Sequence, residues 1–200
     1  MKKSSPVYVF VWIAVIWTSE PACPSTAIEV QPTQAQVRLA LDRGKEAATH
    51  HQAPETFYTR FGSGDDLHPS GFLVTKLGGL SVMATHMALR GLEPSAADIA
   101  QMIEAPAMLV STVIFGDSPS FAVNSYIVLD QEGRVVKPTT VRVDGQAGRS
   151  SAWPRSPKFR AKVVATFRYA DFDPHAQTTI TVFPASGGEV HFSLHLAEID

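Results

Sequence analysis

The chain has 200 residues, 44% of them hydrophobic and 18% charged, with a formal net charge of −2. That hydrophobic content excludes an intrinsically disordered chain. The near balance of charge, without a long run of either sign, gives no electrostatic reason to expect nucleic acid as a partner.

Lys2 and Lys3 precede an uncharged apolar run over residues 6–17, and a polar stretch with prolines follows to Ser25-Thr26-Ala27. This is the anatomy of a secretory signal peptide, with small residues at −3 and −1 of a cleavage point after Ala27. The run is short for a bilayer span, which takes about 20 residues. Retained, it would act as an uncleaved anchor. Cys23 is the one cysteine, and Glu20 stands where a lipid-attachment signal carries an aliphatic residue. Cleavage after Ala27 removes Cys23, so the remaining chain has no disulfide and holds together by its core. The expected location is periplasmic or extracellular, with no stable membrane span after signal cleavage. The expected division is a signal peptide over 1–27, a helical part over 28–105 and an antiparallel β part over 106–200, the last two forming one compact unit.

Residues 30–48 read as a first helix. Thr33 caps it, Gln36 completes a capping box, and Val37, Leu41 and small residues form its apolar face. Gly44 in mid-helix costs about 1 kcal/mol relative to alanine, which points to a bend or a close packing contact there. Phe57, Tyr58 and Phe61 then cluster as expected core beneath the polar loop Gly62-Ser63-Gly64-Asp65-Asp66.

Residues 71–90 are apolar on almost every side. Leu73, Leu77, Leu80, Ala84 and Met87 recur at helical spacing, and Ser70 is placed to cap them. A second face of Gly78, Ser81 and Thr85 is small enough for close approach of another layer, and the β half is expected to lie directly against it. Gly91 and Pro94 stop this helix. A third, short helix starts at Ser95, with Asp98 completing its capping box, and ends before Pro106.

After Pro106 the period changes to two. Strands are expected over 108–115, 121–129, 134–143, 159–169, 178–183 and 189–196. Residues 131–133 form a hairpin turn, Pro138 marks an edge or a bulge, and residues 144–157 form a loop holding Trp153. On 159–169, Val163, Ala165, Phe167 and Tyr169 share one side, with Lys162, Thr166 and Arg168 on the other. On the last strand His191, Ser193 and His195 face out. The expected class is α+β: an N-terminal layer of about three helices packed on a C-terminal antiparallel, sandwich-like sheet of about six strands.

Few residues suggest chemistry. Val113-Ile114-Phe115-Gly116-Asp117-Ser118 resembles the nucleophile block of the GDSL-type esterases. The resemblance implies an α/β/α domain with Ser118 as nucleophile and His175 as base, the latter from an Asp-x-x-His block. Phe172 stands at the aspartate position of that block, between Asp171 and Asp173, and no Gly-x-Asn-Asp block is present for an oxyanion hole. The same Gly-Asp-Ser-Pro residues also read as a turn. His191 and His195 lie about 13 Å apart along a strand and cannot share a metal ion. His50, His51 and His68 lack the spacing of a zinc site. Asp65-Asp66 and Asp171-Asp173 lack the fuller pattern of a calcium loop. Lys76 and Arg90 fall on one side of the apolar helix, where they form a cationic spot, pair with Asp65, Asp66 or Asp98, or snorkel to water.

No catalytic residue, cofactor or metal site is therefore assigned, and Ser118 and His175 are the weak catalytic candidates. The pattern points to an exported binding, adhesion or scaffolding module of the cell envelope, with an unknown protein or glycan partner and no nucleic acid. The alternatives are a serine hydrolase using Ser118 and a subunit of an envelope assembly that docks through its apolar helix.

Overall fold

The computed structural model describes residues 28–199. The expected signal peptide, Cys23 and the cleavage point after Ala27 lie outside the described residues. Helix α1 (Gln34–Thr49) starts where Thr33 and Gln36 close the expected capping box. Two unexpected strands follow, β1 (Thr59–Gly62) and β2 (Ser70–Val74), paired antiparallel across the 63–69 loop.

These strands correct the helix expected over 71–90. Its first turn is strand β2, and helix α2 (Lys76–Ala88) begins at Thr75, whose Oγ1 accepts the Gly78 N–H. The reason is local. Phe72, Leu73 and Val74 suit a pleated surface, and Leu73 is fully buried in the core between the sheets. Its helical spacing to Leu77 is shared by two different elements. Helix α3 (Ala96–Ile103) carries the expected Ser95–Asp98 box, in which the carboxylate accepts from the Ser95 N–H and hydroxyl. Those bonds hold the Asp98 carboxyl below its usual pKa.

The remaining strands are β3 (Ala107–Gly116), β4 (Tyr126–Gln131), β5 (Arg134–Val136), β6 (Thr140–Val143), β7 (Gly148–Arg149), β8 (Phe159–Arg168), β9 (Gln177–Phe183) and β10 (Val190–His195). They make ten strands among the described residues rather than six. The difference is β1, β2, β7 and a split of 134–143. That split falls around Pro138, which has no N–H to give a ladder. Before it, β5 pairs with β4 in one sheet; after it, β6 pairs with β8 in the other. The β4–β5 hairpin turns on Glu132 and Gly133, both with positive φ (53° and 87°), as a two-residue turn that suits the twist of its strands demands.

The first sheet runs β1-β2-β3-β8-β6, with β7 also on β8, and the second runs β10-β9-β4-β5. All the pairings are antiparallel. Val110, Ile114, Val163 and Phe167 from the first sheet meet Ile127, Leu129, Ile180 and Val182 from the second in the main core. The class is α+β, as expected.

The helices form a separate, smaller core of Val37, Ala40 and Leu80, flanked by Leu77, Ile99 and Met102. This corrects the expected neighbour of the small-residue face. Ser81 Oγ donates to the Ala40 carbonyl (2.9 Å) and Thr85 Oγ1 to the Gly44 carbonyl (3.0 Å), so this face meets α1 and not the sheets. Gly78 lies against the Phe57 carbonyl. A Cβ at Gly44 would collide with the Ser81 carbonyl, which explains a glycine in mid-helix.

Lys76 joins the parts. Its Nζ donates to the Val30 carbonyl (2.8 Å) and the Ile103 carbonyl (2.5 Å), and lies 5.1 Å from the centre of the Tyr169 ring. It therefore does not pair with Asp65, Asp66 or Asp98, and it points inward rather than forming an exposed spot with Arg90. Burial lowers its pKa, and burial pushes that of Tyr169 up to about 12.

Candidate functional site

Alternation along a strand sends neighbouring side chains to opposite faces. On β3, Val110, Thr112 and Ile114 point into the core, which leaves Leu109, Ser111, Val113 and Phe115 on the outer face of the first sheet. The register carries that face sideways. Arg60 pairs with Phe72, Phe72 with Ser111, Ser111 with Val164, and Val164 with Arg142. One row thus crosses five strands with an arginine at each end, about 19 Å apart at ordinary strand spacing. The next rows along β8 place Lys162 beside Val113 and Arg160 beside Phe115. Arg168 stands beside Ala107 at the far end of the same strand.

Arg60, Arg142, Arg160, Lys162 and Arg168 are all exposed, and none is in an ion pair among the described residues. Between them Leu109, Val113, Phe115 and Val164 are half-buried. Phe72 is also half-buried and stacks on Tyr58, with ring centres 4.5 Å apart and planes 12° apart. The face therefore has an apolar floor and a cationic rim. Two recesses indent it. One, of about 370 Å³, is lined among others by Arg60, Phe72, Val113, Phe115 and Arg160. Its neighbour, of about 380 Å³, shares Val113 and Arg160 and adds Lys162 and Asp144.

Three exposed carboxylates, Asp65, Asp66 and Asp144, also line these recesses. Asp144 accepts the Lys162 backbone N–H at 2.8 Å. Asp65, on the loop walling the first recess, accepts from the Leu67 N–H (2.6 Å) and meets the His68 ring (2.9 Å). These contacts hold its carboxyl below the usual range. The face thus carries five cations against three carboxylates, although the whole chain is slightly acidic.

The candidates drawn from sequence are not brought together. Ser118 is exposed, two residues beyond Gly116, which pairs with Phe159 at one end of the β3–β8 ladder. His175 follows Arg168, which pairs with Ala107 at the other end, and Gln131 Nε2 holds that turn through the Asp173 carbonyl. The ladder between them spans roughly 30 Å. The antiparallel sheets also differ from the α/β/α domain that the esterase resemblance implies. Asp117 instead accepts from the Lys158 N–H and the Ser156 hydroxyl, pinning one loop to another.

On the outer face of the second sheet, Thr181 Oγ1 lies 3.0 Å from His191 Nδ1, and His191 Nε2 lies 3.0 Å from Glu189. Thr181 and His191 are register partners on β9 and β10, so the contact ties the two strands. His195 is exposed on the same face, opposite Gln177. His50 caps the end of α1. No group of three metal-ligating side chains occurs among the described residues.

No protein-family profile matches the chain, and no curated protein sequence is similar to it. Among solved structures, it is similar to the archaellum periplasmic stator protein FlaG from Sulfolobus acidocaldarius, over 46% of this chain and 88% of that one, at 13% identity and a TM-score of 0.31. Overlap this slight carries no functional argument. No helix among the described residues is long and apolar enough to cross a membrane.

Proposed function

We propose that this protein is an exported, non-catalytic binding or scaffolding module of the cell envelope, and that it binds through the outer face of its first sheet. One observation carries the reading. Exposed, unpaired cations on β1, β6 and β8 surround a half-buried apolar floor, an arrangement with the polar rim and apolar centre of a protein interface. Export rests on the signal-peptide anatomy of residues 1–27. An envelope-assembly role uses this same face, because α1 already covers the small-residue side of the apolar helix.

The test is co-sedimentation. The full chain, expressed with its leader and purified from the exported fraction, should sediment with isolated envelope. The double variant Arg160→Glu, Lys162→Glu should remain in the supernatant while keeping its thermal unfolding profile. Retention of the protein in the cytosol, or sedimentation indifferent to both substitutions, would refute the proposal. For the competing hydrolase, Ser118→Ala should leave any ester hydrolysis by the purified protein unchanged. Loss of a real activity in that variant would replace the binding reading.

A further inference from the structure

We infer that the partner taken by the outer face of the first sheet is an acidic protein segment, one in which carboxylates flank an apolar side chain. The inference rests on the proposed binding role and adds the chemistry of the partner.

Three features of the face select that chemistry. The face carries five cations against three carboxylates, Asp65, Asp66 and Asp144, at its recesses, so its net charge favours an acidic partner over a basic one. Arg160 and Lys162 project from the same side of β8, about 7 Å apart, which is the spacing of alternate side chains on an extended chain. An extended segment with acidic residues at alternate positions therefore meets both in register. Between rim and centre, Val113 and Phe115 line the recess beneath the cations, and Phe72 closes its other side. An apolar side chain placed there removes these groups from water, which charge alone does not do.

A sulfated or carboxylated glycan offers the charge but nothing apolar for Val113 and Phe115. An anionic lipid surface offers both. It would require apolar side chains that protrude past the cations, whereas Leu109, Val113, Phe115 and Val164 are half-buried below them. The concave floor suits an inserted side chain from a protein.

The experiment titrates the purified full chain with a short synthetic peptide alternating Glu with Leu and Phe. Parallel titrations use an oligo-Glu peptide of equal charge, a heparin fragment, and vesicles of phosphatidylglycerol. The mixed peptide should bind about tenfold more tightly than oligo-Glu, and its affinity should fall as salt is raised. Arg160→Glu with Lys162→Glu should weaken it about tenfold or more. Arg142→Glu, on a different strand, should weaken it in the same direction, and Val113→Ser should erase the advantage over oligo-Glu. Tighter binding of heparin or vesicles, equal binding of the two peptides, insensitivity to charge reversal, or no binding of the mixed peptide would each overturn the inference. If the peptide fails while envelope co-sedimentation still requires Arg160 and Lys162, the binding role stands and the partner chemistry is wrong. If co-sedimentation fails as well, both fall.

Discussion

The helical pair and the sandwich bury apolar surface with different side chains. Between α1 and α2 the contact is made by Ala40, Gly44, Ser81, Ala84 and Thr85, with hydroxyls bonded to carbonyls of the opposite helix. Between the sheets it is made by the apolar side chains of Ile114, Val163, Phe167, Ile180 and Val182. The first depends on closeness, so it is vulnerable to an added atom. The second depends on volume, so it is vulnerable to a lost one. The proposed binding face belongs to the second kind of structure: a sheet whose register fixes where each cation stands.

The largest expected effect is loss of volume. Phe167 is fully buried, and Phe167→Ala should destabilise the protein by about 3–5 kcal/mol in urea unfolding. A cost below about 1 kcal/mol would show that the sandwich relaxes around the gap and is not close-packed.

The seam between the two regions should respond to alkali. Tyr169 has its pKa raised from 10.0 to about 12, mainly by burial. Its contribution is therefore fully present below pH 10 and is lost as the pH rises towards about 12, because the unfolded phenol ionises first. Two units correspond to a loss of about 2–3 kcal/mol. Lys76 works in the opposite sense. Its pKa is lowered by burial, so its charge penalises the fold below that depressed pKa, and the penalty fades as the pH climbs to 10.5. Tyr169→Phe should therefore flatten the decline of stability above pH 10, measured as urea midpoints across the alkaline range. An unchanged decline in the variant would assign the alkaline loss to other groups.

Gly44→Ala tests closeness. In an exposed helix this change stabilises by about 1 kcal/mol. Here the new Cβ meets the Ser81 carbonyl and sits 2.7 Å from Ala84 Cβ, so the helices must separate. The expected result is a destabilisation of about 1–3 kcal/mol, with faster amide exchange in α1 and α2 and unaltered protection in β3 and β8. A gain in stability would mean that the helices can move apart freely. The smallest effect should come from Ser125→Ala. The Ser125 hydroxyl is buried without a hydrogen-bond partner, so removing it should be neutral or stabilise by up to about 1 kcal/mol in thermal unfolding.

Much of this architecture is legible in the sequence where one element carries its own signal. The capping residues of α1 and α3, the alternation of Val163, Ala165 and Phe167, and the turn at Glu132-Gly133 are all local. β1 and β2 are not legible, because they are short and Leu73 fits a helical spacing and a strand equally. The change of sheet at Pro138 depends on which strand each flank meets, and no local pattern states that. The proposed binding face is hidden for the same reason. Lys162 and Arg168 stand out as polar partners on one strand, but Arg60 and Arg142 reach them only through β2, β3 and β8. Conversely, Ser118 and His175 come from two separate sequence blocks that the β3–β8 ladder holds apart.

The central claim is that binding resides in the outer face of the first sheet while the helices and the second sheet support it. Amide chemical shifts of the full chain, recorded while the acidic–apolar peptide is added, test this directly. The predicted result is a set of changes centred on Arg60, Phe72, Val113, Arg160 and Lys162, with α1 and β10 undisturbed. Changes centred on His191 and His195 or on the helical pair would contradict it.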